Sequence, residues 1–150
     1  MSSDSLRSLS LRVEGRPHTV KGFTLTQWEV TALTPGDDGP YTLGLQLYMT
    51  ERAAYRHNLR AERPRLFVRC EERDDIVFPD ALSASQEVAA GWMDGERLVL
   101  DAAMPLAIQV WLEAYLARHG EGDDAGRKKK RKAAGRAREL GQALDREPRP

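Results

Sequence analysis

The chain has 150 residues, with 23 basic and 23 acidic side chains, 41% hydrophobic residues and 31% charged ones. That length suits one globular domain, and no run of 18 apolar residues exists to form a membrane-spanning helix. The single cysteine, Cys70, excludes an intrachain disulfide and an all-cysteine metal site.

Residues 1–7 are small and polar without period, and are expected to be a disordered N-terminus. Leu9, Leu11 and Val13 then alternate with polar residues, the mark of a half-buried strand. Gly15 to Gly22, with Pro17, reads as a loop or hairpin connection. Phe23 to Leu33 is extended, with Trp28, Val30 and Ala32 on one side. The run PGDDGP, Pro35 to Pro40, is the strongest turn signal in the chain. Leu43, Leu45 and Leu47 alternate after it, so the two runs around that turn are expected to form an antiparallel hairpin.

Thr50 and Glu51 suit the start of a short helix to Asn58. Leu66, Val68 and Cys70 share one face of a strand from Arg65 to Glu71. Glu71 to Asp75 reads as a charged turn, and Ile76 to Phe78 as a short extended piece ended by Pro79. Ser83 and Gln86 have capping-box spacing and open a helix to about Met93, with Gly95 as its stop. Arg97 to Leu100 is a last short strand. Pro105 sits at the first turn of a helix from Leu106 to His119, whose apolar set is Leu106, Ile108, Val110, Trp111, Leu112, Tyr115 and Leu116. This order predicts an α+β fold: a mainly antiparallel sheet packed by the C-terminal helix, one domain over residues 8–119, and a flexible basic tail over 120–150.

The balanced charge conceals two unlike regions. Residues 1–119 carry 13 basic and 17 acidic side chains, and residues 120–150 carry 10 and 6. Lys21 is the only lysine before residue 120, whereas Arg127, Lys128, Lys129, Lys130, Arg131 and Lys132 follow one another without interruption. Six successive positive charges stay solvated. They serve solubility, dock an acidic protein face, or capture nucleic acid or an anionic membrane. No aromatic residue follows Tyr115, so nucleic acid lacks a stacking platform here.

Candidates for chemistry are few. His18, His57 and His119 do not pair with one another or with Cys70 at metal-ligand spacing, so no metal site is expected. Cys70 lies on the inward alternation, as a buried inert thiol would. Phosphate-cradling loops and a nucleophile elbow have no counterpart in the sequence. No catalytic residue and no cofactor are therefore assigned. Tyr55 and Asn58, three apart, share a helix face. With Tyr48 and Arg56 they form either a structural cluster around a helix end or a partner-binding face.

The stretch from Leu45 to Asp75 contains L-x-L-Y (Leu45–Tyr48), T-E-x-x-A-Y-x-x-N-L (Thr50–Leu59) and P-x-L-F-V (Pro64–Val68). With Ser83–Pro105, the helix residues Trp111, Tyr115 and His119, and the basic run, it resembles a family of small bacterial proteins encoded beside molybdenum-dependent formate dehydrogenase genes. Some members carry a molybdopterin-guanine dinucleotide biosynthesis label. The resemblance covers residues 41–132; Ala102 and Ala103 depart from the usual Pro-x-Pro start, and only Trp28–Glu29 matches in the N-terminal third. It implies a non-catalytic accessory protein that assists assembly or maturation of such a dehydrogenase by contacting one of its subunits. A nucleic-acid-binding protein acting through the tail, and a small pterin- or nucleotide-binding protein, are the alternatives. A cytoplasmic location is expected from the lone cysteine and from a start, Met1–Ser10, without a secretory pattern.

Overall fold

The computed structural model describes residues 4–121. The expected basic run, Arg127 to Lys132, lies outside the described residues. Among the described residues six strands and three α-helices follow one another: β1 (Leu6–Val20), β2 (Phe23–Pro35), β3 (Tyr41–Gln46), α1 (Arg52–Leu59), β4 (Arg65–Arg73), β5 (Ile76–Ser83), α2 (Gln86–Asp94), β6 (Leu98–Ala103) and α3 (Leu106–His119). The strands form two antiparallel three-stranded sheets, ordered β2-β1-β3 and β5-β4-β6.

The fold is thus mainly β, with 48% of the described residues in strands, and corrects the α+β expectation of a single sheet covered by one helix. Two local reasons account for the difference. First, Gly15 to Gly22 is no loop. The turn is only Lys21–Gly22, both at positive φ (51° and 85°), and pairing continues from Val20↔Phe23 down through Pro17↔Thr26. A two-residue turn with both φ values positive matches strand twist, and Gly22 supplies one of them without strain. Counting pairs back from that turn puts Pro17 at a non-hydrogen-bonded position, where its missing N–H costs no ladder bond.

Second, β2 and β3 are not a hairpin. Each pairs with β1, from opposite sides. The PGDDGP segment therefore crosses over β1. Gly39 passes so close that a Cβ there would lie 2.7 Å from the Ser10 Cβ, and its N–H donates to the Ser10 hydroxyl (3.1 Å). The crossing buries Ser10.

The second sheet repeats this connectivity, with β4 central. Its hairpin turn is Asp74–Asp75, again at positive φ, a conformation that Asp tolerates better than most residues. β5 does not stop at Pro79 but runs through it to Ser83. As an edge strand it has no second neighbour to miss the proline N–H. α2 begins two residues later than the capping box suggests: Ser85 accepts from the Val88 N–H (3.2 Å), while Ser83 accepts from the Ser85 N–H (2.9 Å).

β3 lies beside β5 and β2 beside β6, so the sheets face each other around one core. Leu9, Leu11 and Leu45 come from the first sheet; Leu66, Val68, Cys70, Val77 and Leu82 come from the second. α3, in the expected position, adds Ile108, Trp111, Leu112, Tyr115 and Leu116. Order begins earlier than residue 8: the Trp111 indole N–H donates to the Asp4 carbonyl (2.9 Å), Arg118 pairs with the Asp4 carboxylate (2.7 Å), and Arg7 lies over the Trp111 ring. No helix among the described residues is long and apolar enough to cross a membrane.

Candidate functional site

The four residues singled out in sequence split into two kinds. Asn58 and Tyr55 are buried and internally engaged. The Asn58 amide donates to the carbonyls of Arg65 (2.7 Å) and Ala84 (2.8 Å), and its oxygen accepts from the Arg65 N–H (3.0 Å). It thereby joins the end of α1 to the start of β4 and to the segment after β5. The Tyr55 hydroxyl accepts from the Tyr48 N–H (3.0 Å) and holds the chain leaving β3 against α1. Burial pushes the phenol well above its ordinary pKa; the Tyr48 N–H opposes this, more weakly.

Tyr48 and Arg56 face outward to different degrees. The Tyr48 side chain is solvent-facing (58% exposed). Arg56 grips both carboxylate oxygens of Glu113 on α3 (2.9 and 3.1 Å) and also reaches Glu121 (2.9 Å). The Arg56 hydrogen bonds hold the Glu113 carboxyl below the usual carboxylate range. Arg52 donates to the His119 carbonyl, so two arginines of α1 clamp the end of α3. Arginine suits this position because its planar fork matches a carboxylate with two parallel bonds.

That clamp borders a surface missed in the sequence. On α3, Leu106 (73% exposed) and Val110 (61% exposed) point away from the core, and Ala107, Ala114 and Ala117 are exposed with them. Residues 106, 110, 113 and 117 follow one another at helical spacing, so Leu106, Val110, Glu113 and Ala117 form one outward stripe. The signal was present: the seven large apolar residues of this helix span too wide an arc for a single buried face. Arg56, Glu113 and Arg118 supply a charged rim.

A second cluster lies in the β4 sheet. β5 carries one extra residue, Asp80, opposite the Arg69–Cys70 step. The bulge aims its carboxylate at Arg69 (2.8 Å) and Arg97 (2.6 Å), and Arg97 also donates to the Cys70 carbonyl (3.2 Å). Arg69 lies over the Trp92 ring. Burial works against the Asp80 charge, but the two arginine hydrogen bonds and charges outweigh it and leave the carboxyl below its ordinary pKa. Beneath this cluster, burial pushes the Cys70 thiol up to about 11, with Asp80 adding to the rise and Arg97 opposing it. Every charge here is answered by a neighbour, so the cluster reads as a brace between β4, β5 and the start of β6.

Of the histidines, His119 packs against Tyr115 (ring centroids 4.7 Å apart) and His18 sits on the long first hairpin opposite Leu25. Among the described residues no group of three or more His, Cys, Asp or Glu side chains is placed to hold a metal ion.

The sequence pattern of a family described as "Protein of unknown function (DUF3305)" matches residues 39–132, more than half of the chain. The match begins at Gly39, the glycine that crosses β1, and leaves β1 and β2 outside it. No curated protein and no solved structure matches the chain.

Proposed function

Because the chain belongs to the DUF3305 family of proteins of unknown function, we propose its role from its own surface: it is a non-catalytic accessory protein that docks a partner protein on the outward stripe of α3. The single observation behind this is the exposed pair Leu106 and Val110, flanked by alanines and rimmed by the Arg56–Glu113 and Arg118–Asp4 ion pairs. An apolar centre with a charged rim is the anatomy of a protein interface, and alanines let a partner helix approach closely. Tyr48 and Arg56, from the face singled out in sequence, remain the contact residues; Tyr55 and Asn58 support them from within.

The partner proposed is a subunit of a molybdenum-dependent formate dehydrogenase, during its assembly or maturation. This rests on the resemblance of Leu45–Asp75 and Ser83–Pro105 to proteins encoded beside such enzymes.

Deletion of the gene is expected to lower formate dehydrogenase activity while leaving the amount of its polypeptides unchanged. Full-length protein should retain the dehydrogenase subunit in an affinity pull-down, and Leu106→Glu/Val110→Glu should lose it with an unaltered melting curve. A deletion strain with normal activity and normal cofactor content would refute the assignment.

A further inference from the structure

We propose that the tip of the β1–β2 hairpin is a lipid-contact element, which inserts Val20, Phe23 and Leu25 into the interface of an anionic membrane. This goes beyond the accessory role and does not depend on it.

The register carries the argument. Val20 pairs with Phe23 and His18 with Leu25, so these four side chains share one face of the ribbon, while Thr19, Thr24, Pro17 and Thr26 occupy the other. Phe23 is 73% exposed and Leu25 59%. β3 reaches only as far as Leu11 on β1, so beyond that point the two strands have only each other in the sheet. From Glu14 to Val20 and from Phe23 to Gln27 every residue is solvent-facing. The apolar cluster is therefore at the end of a protrusion, on one side of it.

Charge identifies the surface. No acidic residue lies between Glu14 and Glu29; Arg16 in that interval is paired with Glu29 (3.0 Å), which leaves Lys21, at the turn, as the tip's own charge. Residues 1–119 as a whole have four more acidic than basic side chains, 17 against 13. The ribbon thus ends in a single positive charge, Lys21, on an otherwise acidic body, which an anionic surface would orient tip-first. Lys21, at the turn itself, has a stem long enough to leave its ammonium among headgroups while Val20 and Phe23 enter the acyl boundary. Three side chains on one ribbon face fall far short of the roughly 800 Å² per partner of a stable protein interface, yet a small apolar anchor combined with basic charge suffices for reversible membrane binding. The sequence supplies a second basic segment, Arg127 to Lys132, to add to it.

The test is co-sedimentation of the full-length protein with vesicles of phosphatidylcholine alone or mixed with phosphatidylglycerol. Binding is expected only to the mixed vesicles. Phe23→Ser/Leu25→Ser should lower the partition coefficient about tenfold or more, from the apolar surface lost. Lys21→Glu should lower it by about the same factor, from a reversed charge at the headgroups, and both variants should melt as the parent does. Equal binding by Phe23→Ser/Leu25→Ser and parent would overturn the proposal, since the basic segment would then act alone. So would failure of the parent to bind mixed vesicles. Concentration-dependent self-association of the parent without vesicles, abolished by Phe23→Ser/Leu25→Ser, would also overturn it by assigning the tip to a second copy of this chain.

Discussion

The two sheets have the same connectivity and opposite fates. In each, the first strand is central, the second returns by a two-residue turn at positive φ, and the third pairs on the far side. In the β4 sheet the third strand arrives by way of α2, and a bulged aspartate ties the edges together through Arg69 and Arg97. In the β1 sheet the third strand arrives by a five-residue connection over Ser10, and the hairpin simply outruns it. One sheet closes over its core with side-chain ion pairs; the other extends a ribbon into solvent. Topology alone does not make a surface available. What is left uncovered depends on strand length and on what the crossover brings with it.

The comparison can be broken or sharpened by experiment. The largest contrast is chemical. With its pKa raised to about 11 and its sulfur buried, Cys70 should react with a soluble disulfide reagent at pH 8 roughly a thousandfold slower than the unfolded chain. Fast labelling in the native state would show that the β4 sheet opens locally, as the hairpin of the other sheet is expected to do.

Next in size is Asn58→Ala. It strands the Arg65 N–H and the carbonyls of Arg65 and Ala84, and should cost about 3 kcal/mol in denaturant unfolding. A cost below about 1 kcal/mol would mean that water or a shifted backbone replaces the amide.

Asp80→Ala should cost about 2 kcal/mol, since it leaves two half-buried guanidinium groups without their shared carboxylate. Because the folded-state pKa of Asp80 is depressed, its contribution is fully present above the ordinary carboxylate value of about 4 and is lost as pH falls through the lower folded value. The difference in stability between parent and Asp80→Ala should therefore shrink on acidification below about pH 4. A gap that stays constant to pH 2.5 would separate the destabilisation from the charge.

The smallest effect is expected on the hairpin. Phe23→Ser should change global stability by less than about 0.5 kcal/mol, because the ring is already in solvent. Backbone amides of residues 16–27 should exchange far faster than those of β4, as a two-stranded ribbon is marginal without a third strand. Protection equal to that of β4 would place the ribbon against something in solution and remove the contrast between the sheets.

The chain's local rules were legible wherever one neighbour decides the outcome. Pro105 at the first turn and Gly120 at the end mark α3, and its ends lie where the sequence puts them. Alternation marks Leu9–Val13 and Leu66–Cys70 as core strands, and the inward Cys70 follows from it. Even the first hairpin left a trace, as apolar and threonine residues alternate on both sides of Lys21–Gly22. Pro17 obscured that trace, because a proline breaks a ladder only where its N–H was needed.

Tertiary structure decided what depends on partners distant in the chain. Whether PGDDGP turns a hairpin or crosses a strand is set by which edge of β1 is free, and no local dihedral preference encodes that. The seven large apolar residues of α3 span too wide an arc to be buried together, but that Leu106 and Val110 are the ones left out, and not Ile108 and Leu112, is decided only when the sheets cover one side of the helix. Asn58, Tyr55 and Arg56 sit within four positions of one another, yet packing makes the first two internal ties and the third a clamp on Glu113. Composition and period specify which segments form; the direction each exposed face takes comes only from how the two sheets close.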